Sequence, residues 1–164
     1  MEPVGHQSAL SASRGGSALS EILLRHAETD REVAACFPVM ALLRPHLRTA
    51  EELVTRVARQ RAAGYRVLAA WRDDLPLALA GYRIEENLIH GRFLYVDDLV
   101  TEESERGSGI GARLLAAVAT EGRREGCTRL VLDTALDNVL AHRFYYRQGL
   151  LARALRFSRA IGAA

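Results

Sequence analysis

The sequence predicts a mixed, mostly antiparallel α/β fold on three observations. The apolar period changes from helical to alternating at Tyr65. Three β-rich stretches then follow one another with short connections. A glycine cluster after the third opens a strongly amphipathic helix, and a short, fully apolar run, Leu130-Val131-Leu132, comes next. The predicted order is β-α-α-β-β-β-α-β-α-β: a central sheet flanked by helices, with an antiparallel front and one βαβ crossover at the back.

Each element has its own signal. Residues 21–26 read as the first strand, and a helical stretch over 30–43 is stopped by Pro45. Thr49 with Glu52 forms a capping box that opens a helix with Leu53, Val54 and Val57 on its apolar face, closed by Gly64. The three meander strands cover 65–71, 77–85 and 92–101, separated by turns at Asp73-Asp74 and at 87–91. The amphipathic helix carries Ile110, Leu114, Leu115, Val118 and Ala119 on one face and ends at Gly126. A last helix over 138–148 stops at Gly149. Residues 150–161 fit a strand or a helix and take the final strand position.

The chain has 164 residues, suited to one domain over 21–164, with a Ser/Gly/Ala-rich flexible tail over 1–20. With 49% apolar and 26% charged residues the composition is that of a globular domain, and a net charge of +2 gives no reason to expect nucleic acid. No apolar run approaches the 18 residues of a membrane span, and the first residues lack the pattern of a signal peptide. Cys36 and Cys127 read as two reduced thiols of a cytoplasmic protein; neither has a His nearby in sequence, and no Cys/His/Asp cluster has metal-ligand spacing. All 22 basic residues are Arg, so the protein has no lysine side chain of its own to acylate.

Chemistry concentrates at Glu105-Arg106-Gly107-Ser108-Gly109-Ile110-Gly111-Ala112, after a strand and at a helix start. The first N–H groups of a helix have no internal partners and the helix dipole is positive there. Glycines let a ligand approach the backbone, so the segment suits phosphate, and Arg106 adds a positive charge. A P-loop is excluded because the chain has no Lys. A dinucleotide fingerprint is formally present in Gly107, Gly109 and Ala112, with Asp133 beyond. Its context is wrong, because five residues separate it from the strand and the preceding strands read as antiparallel.

Arg106-Gly107-Ser108-Gly109-Ile110-Gly111 matches Q/R-x-x-G-x-G/A, and Asn138, Ala141, Tyr145 and Gly149 match N-x-x-A-x-x-x-Y-x-x-x-G-F, with Leu150 for the Phe. In these motifs the chain resembles the GNAT superfamily of acyl-CoA-dependent N-acyltransferases. The resemblance implies an acetyltransferase with acetyl-CoA as co-substrate. The pyrophosphate would sit on the amides of Arg106, Gly107, Ser108, Gly109, Ile110, Gly111 and Ala112. The pantetheine arm would add like a strand to the third meander strand at Leu99, Val100 and Thr101. Asn138 would touch that arm, and Tyr145 would protonate the departing thiolate. Transfer would be direct, without an acyl-enzyme.

Two further readings come from the residues. In Phe144-Tyr145-Tyr146 one aromatic must leave the core face of its helix; the motif spacing picks Tyr145, and a phenol is a reasonable acid toward a developing thiolate. Asp97-Asp98 interrupts an apolar strand. Alternation puts only one of the pair toward a cleft unless a bulge intervenes. One carboxylate can relay a proton from the substrate amine or bind it as a cation; both can equally be ion-paired structural groups. The acceptor is expected to be a small-molecule or peptide amine, and a homodimer stays open. A non-catalytic acyl-CoA sensor of the same fold is the alternative.

Overall fold

The computed structural model describes residues 21–162, so the tail expected over 1–20 lies outside the described residues. The elements are β1 (Ile22–His26), α1 (Asp30–Ala35), α2 (Phe37–Leu43), α3 (Ala50–Arg61), β2 (Arg66–Arg72), β3 (Leu75–Asn87), β4 (Gly91–Thr101), a 3₁₀ turn (Glu103–Glu105), α4 (Ile110–Arg124), β5 (Leu130–Leu132) and α5 (Val139–Arg147). The strands lie side by side in chain order, antiparallel except for the parallel pair of β4 and β5. The predicted mixed sheet and its single crossover are therefore present.

Strands buried on both faces account for the long apolar runs of the meander. In β2, Val67, Ala69 and Trp71 point into a core with Val33, Val39, Met40, Leu53 and Val57 from α1–α3. Leu68 and Ala70 point the other way, into a core with Ile110, Leu114, Leu115 and Val118 of α4. The two cores share the sheet as a wall, and the alternation of β2, β3 and β4 feeds both.

Three expectations are corrected. The helix predicted over 30–43 is two helices broken at Cys36, because Pro38 in the first turn of α2 has no N–H to continue the preceding ladder. The reciprocal capping box forms at Thr29 and Glu32, at the start of α1. At Thr49 only half of one forms: its hydroxyl accepts from Glu52 N, while the Glu52 carboxylate accepts from Arg48 N. The final strand expected over 150–161 is absent: after the α5 stop at Gly149 (φ +79°) the segment has no regular structure, and beyond the half-buried Leu150 it is exposed. Alternating apolar residues make a strand only where a neighbour supplies hydrogen bonds. β5, three residues long, offers little edge.

Candidate active site

β4 is the strand on which the site is built. Its register against β3 shifts by one: Tyr82 faces Val96 and Gly81 faces Asp98, so Asp97 is the extra residue of a β-bulge. The bulge supplies the exception to alternation that the Asp97-Asp98 pair required. Both carboxylates now bond to groups on the α1–α3 side of the sheet. Asp98, 8% exposed, accepts from Arg44 Nε at 2.7 Å through one oxygen and from the Tyr65 hydroxyl at 2.7 Å through the other. Asp97 accepts from Arg83 Nε at 2.9 Å, and Arg83 also donates to Gln60 Oε1. Burial raises the Asp97 carboxyl above its ordinary range, against the opposing pull of Arg83. Burial and then the Asp98 charge push the Tyr65 phenol well up.

Beyond the bulge β4 loses a neighbour. β5 ends at Leu132, opposite Val96, so Asp97–Thr101 has β3 on one side and no strand on the other among the described residues. Of the three residues predicted along this edge, Val100 is buried in the α1–α3 core, Leu99 packs toward α4, and Thr101 ends the strand. An added strand would meet their main-chain groups.

The glycine cluster lies directly after this edge. Gly107 and Gly109 have φ of +82° and +86°, and a Cβ on either would point into open space. Gly109 caps α4 without a side-chain hydrogen bond. The N–H groups of Gly107, Gly109, Gly111 and Ala112 have no acceptor among the described residues. Unpaired N–H groups at a helix start are able to donate hydrogen bonds to an anion. Ser108 donates to Glu105 O at 2.7 Å, and Ile110 N lies 3.4 Å from Ser108 Oγ. Glu105 pairs with Arg72 of β2 at 2.9 Å, which ties the loop to the sheet. Arg106 stays exposed, 3.5 Å from Glu103, free to turn to an anion.

α5 follows β5 and carries the second motif. Asn138 accepts from Ala141 N at 3.2 Å, so the Asn-x-x-Ala spacing is a helix cap. Phe144 enters the α4-side core and lies 3.7 Å from the Cβ position of Gly111, which packs α5 against the start of α4. The aromatic that leaves the core face is Tyr146 and not, as expected, Tyr145, which is half-buried and edge-on to Phe144 with ring centroids 5.4 Å apart. Burial raises its phenol, so it is protonated at neutral pH. His142 bonds to Ala135 O and His90 meets Phe93 edge-on, packing roles for both. Burial pushes the Cys36 thiol up to about 12, which leaves it a poor nucleophile.

Arg44, Tyr65, Gly81 and Arg83 were not singled out from the sequence. Gly81 carried a readable signal, a lone glycine inside a strand, which marks close backbone approach. A Cβ there would meet the Tyr65 hydroxyl at 2.0 Å and Asp98 Oδ2 at 2.6 Å.

Residues 22–150 match the model of the acetyltransferase (GNAT) family. The chain belongs to that family. It is accordingly an acyl-CoA-dependent acetyltransferase. It is 28% identical over 124 residues to an uncharacterised N-acetyltransferase of Bacillus subtilis, covering 76% of this chain and 87% of that one. It is 30% identical over 93 residues to the aminoalkylphosphonate N-acetyltransferase of Salmonella typhimurium, covering 56% of this chain and 60% of that relative. Among solved structures, the aminoglycoside N-acetyltransferase AAC(6')-Iy in complex with CoA superposes with a TM-score of 0.76 at 18% identity, over 92% of this chain and 99% of that one. An acetyltransferase of Trypanosoma brucei superposes at 0.71 with 19% identity, over 86% of this chain and all of that one. These two likenesses bear on the fold.

Proposed function

We propose that this GNAT acetyltransferase moves an acetyl group directly from acetyl-CoA to a primary amine, with residues 21–164 acting as one domain. The open edge of β4 beside an unpaired amide cradle carries the reading. The pyrophosphate binds the amides of Gly107, Gly109, Gly111 and Ala112, with Arg106 swinging onto it. The pantetheine arm then runs back along Thr101, Val100 and Leu99, where β5 has diverged, and brings the thioester to the bulge at Asp97. The acceptor nitrogen attacks the thioester carbonyl carbon; a C–N bond forms and the C–S bond breaks. Tyr145 gives its hydroxyl proton to the departing sulfur, and the proton of the attacking amine passes to Asp97, whose burial makes it a stronger base than an exposed aspartate. Asp98, with both oxygens engaged, supports the bulge. Asn138 caps α5 and presents the remainder of its amide to the arm.

The acceptor is a small-molecule or peptide amine; the relative that acts on aminoalkylphosphonates supports a small one. No helix among the described residues is long and apolar enough to cross a membrane, and the reduced thiols fit a cytoplasmic setting. Calorimetric titration with acetyl-CoA, CoA and NAD tests the cofactor. Binding of the first two without NAD is expected, followed by thiol release with a panel of primary amines. Absence of acetyl-CoA binding would overturn the assignment of the cradle, and binding without release from any amine would favour an acyl-CoA sensor.

A further inference from the structure

We propose that Arg44 is a positioning residue for acyl transfer, holding the β4 bulge in the shape that receives the acyl end of acetyl-CoA. The inference rests on the reading above and extends it to a residue outside the two motifs. Arg44 is the C-cap of α2, on the opposite side of the chain from the cradle in sequence and on the α1–α3 face of the sheet. Its Nε donates to Asp98 Oδ1 at 2.7 Å and its Nη2 donates to the Asp97 main-chain carbonyl at 2.8 Å. One planar guanidinium thus grips two consecutive residues of the bulge, one by its side chain and one by its backbone.

Both contacts answer a need created by the bulge. The extra residue of a bulge drops out of the ladder with the neighbouring strand, and β5 has already ended at the residue before. Arg44 gives the Asp97 carbonyl a side-chain donor at a half-buried place, where an unpaired carbonyl would cost free energy. The Asp98 carboxylate is buried on the α1–α3 face, the side that also takes Val100 and Tyr65, where a charge is tolerated only when paired. A buried ion pair is weak as a stabilising device, since apolar residues of similar volume often serve the fold as well or better. Its presence beside the reaction centre, with 42% of the Arg44 side chain still exposed, fits a role in setting shape. Tyr65 completes the Asp98 pairing from behind but touches only the carboxylate, and Gly81 leaves space for it. Arg44 alone among these side chains bonds to the bulge backbone.

The bulge lies where an arm that starts at the cradle and pairs with Thr101, Val100 and Leu99 would end. The acyl group would meet the backbone of Asp97 and Asp98, whereas the rest of CoA would not. Loss of Arg44 should therefore act on the acyl end and spare the pyrophosphate end.

The test compares Arg44→Gln, Arg44→Lys and Tyr65→Phe with wild type, each titrated separately with acetyl-CoA and with CoA below its melting temperature. Arg44→Gln is expected to leave the CoA dissociation constant within about twofold and to weaken acetyl-CoA relative to CoA by about fivefold or more, the order of one hydrogen bond. Arg44→Lys keeps the charge without the fork and should recover only part of the difference. Tyr65→Phe should lower the melting temperature yet keep the wild-type ratio of the two affinities. If the ratio is unchanged in Arg44→Gln, or if Tyr65→Phe shifts it equally, Arg44 is only part of the scaffold and the proposal falls. Failure of wild type to bind either ligand would instead remove the cofactor reading on which it rests.

Discussion

Gly81→Ala places one methyl group against the closely packed Tyr65–Asp98 pair. The new Cβ would lie 2.0 Å from the Tyr65 hydroxyl, 2.6 Å from the Tyr65 ring carbon that bears it, and 2.6 Å from Asp98 Oδ2. Non-bonded carbons settle at about 3.5–4.0 Å, so the ring must retreat by roughly 1 Å. It cannot do so freely, since Tyr65 is 4% exposed and its hydroxyl is bonded to Asp98, which Arg44 holds from the other side. Overpacking of this kind costs about 1–3 kcal/mol, and losing a hydrogen bond to a carboxylate about 1.5–3 kcal/mol more. The sum, about 2.5–6 kcal/mol, is a large share of the stability of a single domain and corresponds to a fall in Tm on the order of 10 °C. Urea and thermal unfolding followed by circular dichroism measure it. Combining Gly81→Ala with Tyr65→Phe removes the closest atom but keeps the ring carbon at 2.6 Å, so the two changes should be less than additive in their cost. A Gly81→Ala protein within about 0.5 kcal/mol of wild type would show that Tyr65 and Asp98 yield easily, and the picture of a rigid support behind the bulge would be wrong.

Tyr145→Phe should lower kcat by about 10²-fold or more while acetyl-CoA affinity stays nearly unchanged, as steady-state kinetics and calorimetry would show; equal loss of both would make the tyrosine a packing residue. Gly109→Val should abolish CoA binding, because a branched side chain at φ +86° strains the backbone and fills the open space over the amides; calorimetry with CoA that detects normal binding would refute the placement of the pyrophosphate. The Glu32 carboxyl is lowered from 4.5 to about 2, chiefly by the Thr29 backbone N–H in the capping box. A folded-state value below the unfolded one means that its contribution is complete above about 4.5 and is lost as pH falls toward 2. Melting temperatures from pH 6 to pH 3 should therefore decline less in Glu32→Gln than in wild type, and parallel declines would remove Glu32 from the account.

What the sequence revealed followed the range of the interactions involved. The glycine cluster, the α5 motif and the meander strands are local patterns, and each lies within a residue or two of its expected place. The Asn138 cap is local as well: its spacing to Ala141 is one helical turn. Arg44 and Tyr65 were hidden because their partner Asp98 is 54 and 33 residues away, and no periodicity in an arginine-rich chain distinguishes one arginine from another. The bulge was conceivable from Asp97-Asp98 but could not be fixed until Gly81 was set opposite Asp98. Two misses were avoidable, since Thr29-Asp30-Arg31-Glu32 is a written capping box and Pro38 a written helix break. The missing last strand is the reverse case, a segment that fitted a strand or a helix and found no neighbour to make it a ladder.

β4 is bonded to β3 along its length but to β5 at only three positions. On the proposed reading the sheet is completed by its own reagent, and acetyl-CoA serves as a temporary strand as well as an acyl donor. A ligand at a hundred times its dissociation constant adds about 2.7 kcal/mol to folding stability. The enzyme would accordingly resist unfolding and proteolysis best when acetyl-CoA is plentiful, so that its abundance as well as its turnover would follow the supply of the thioester.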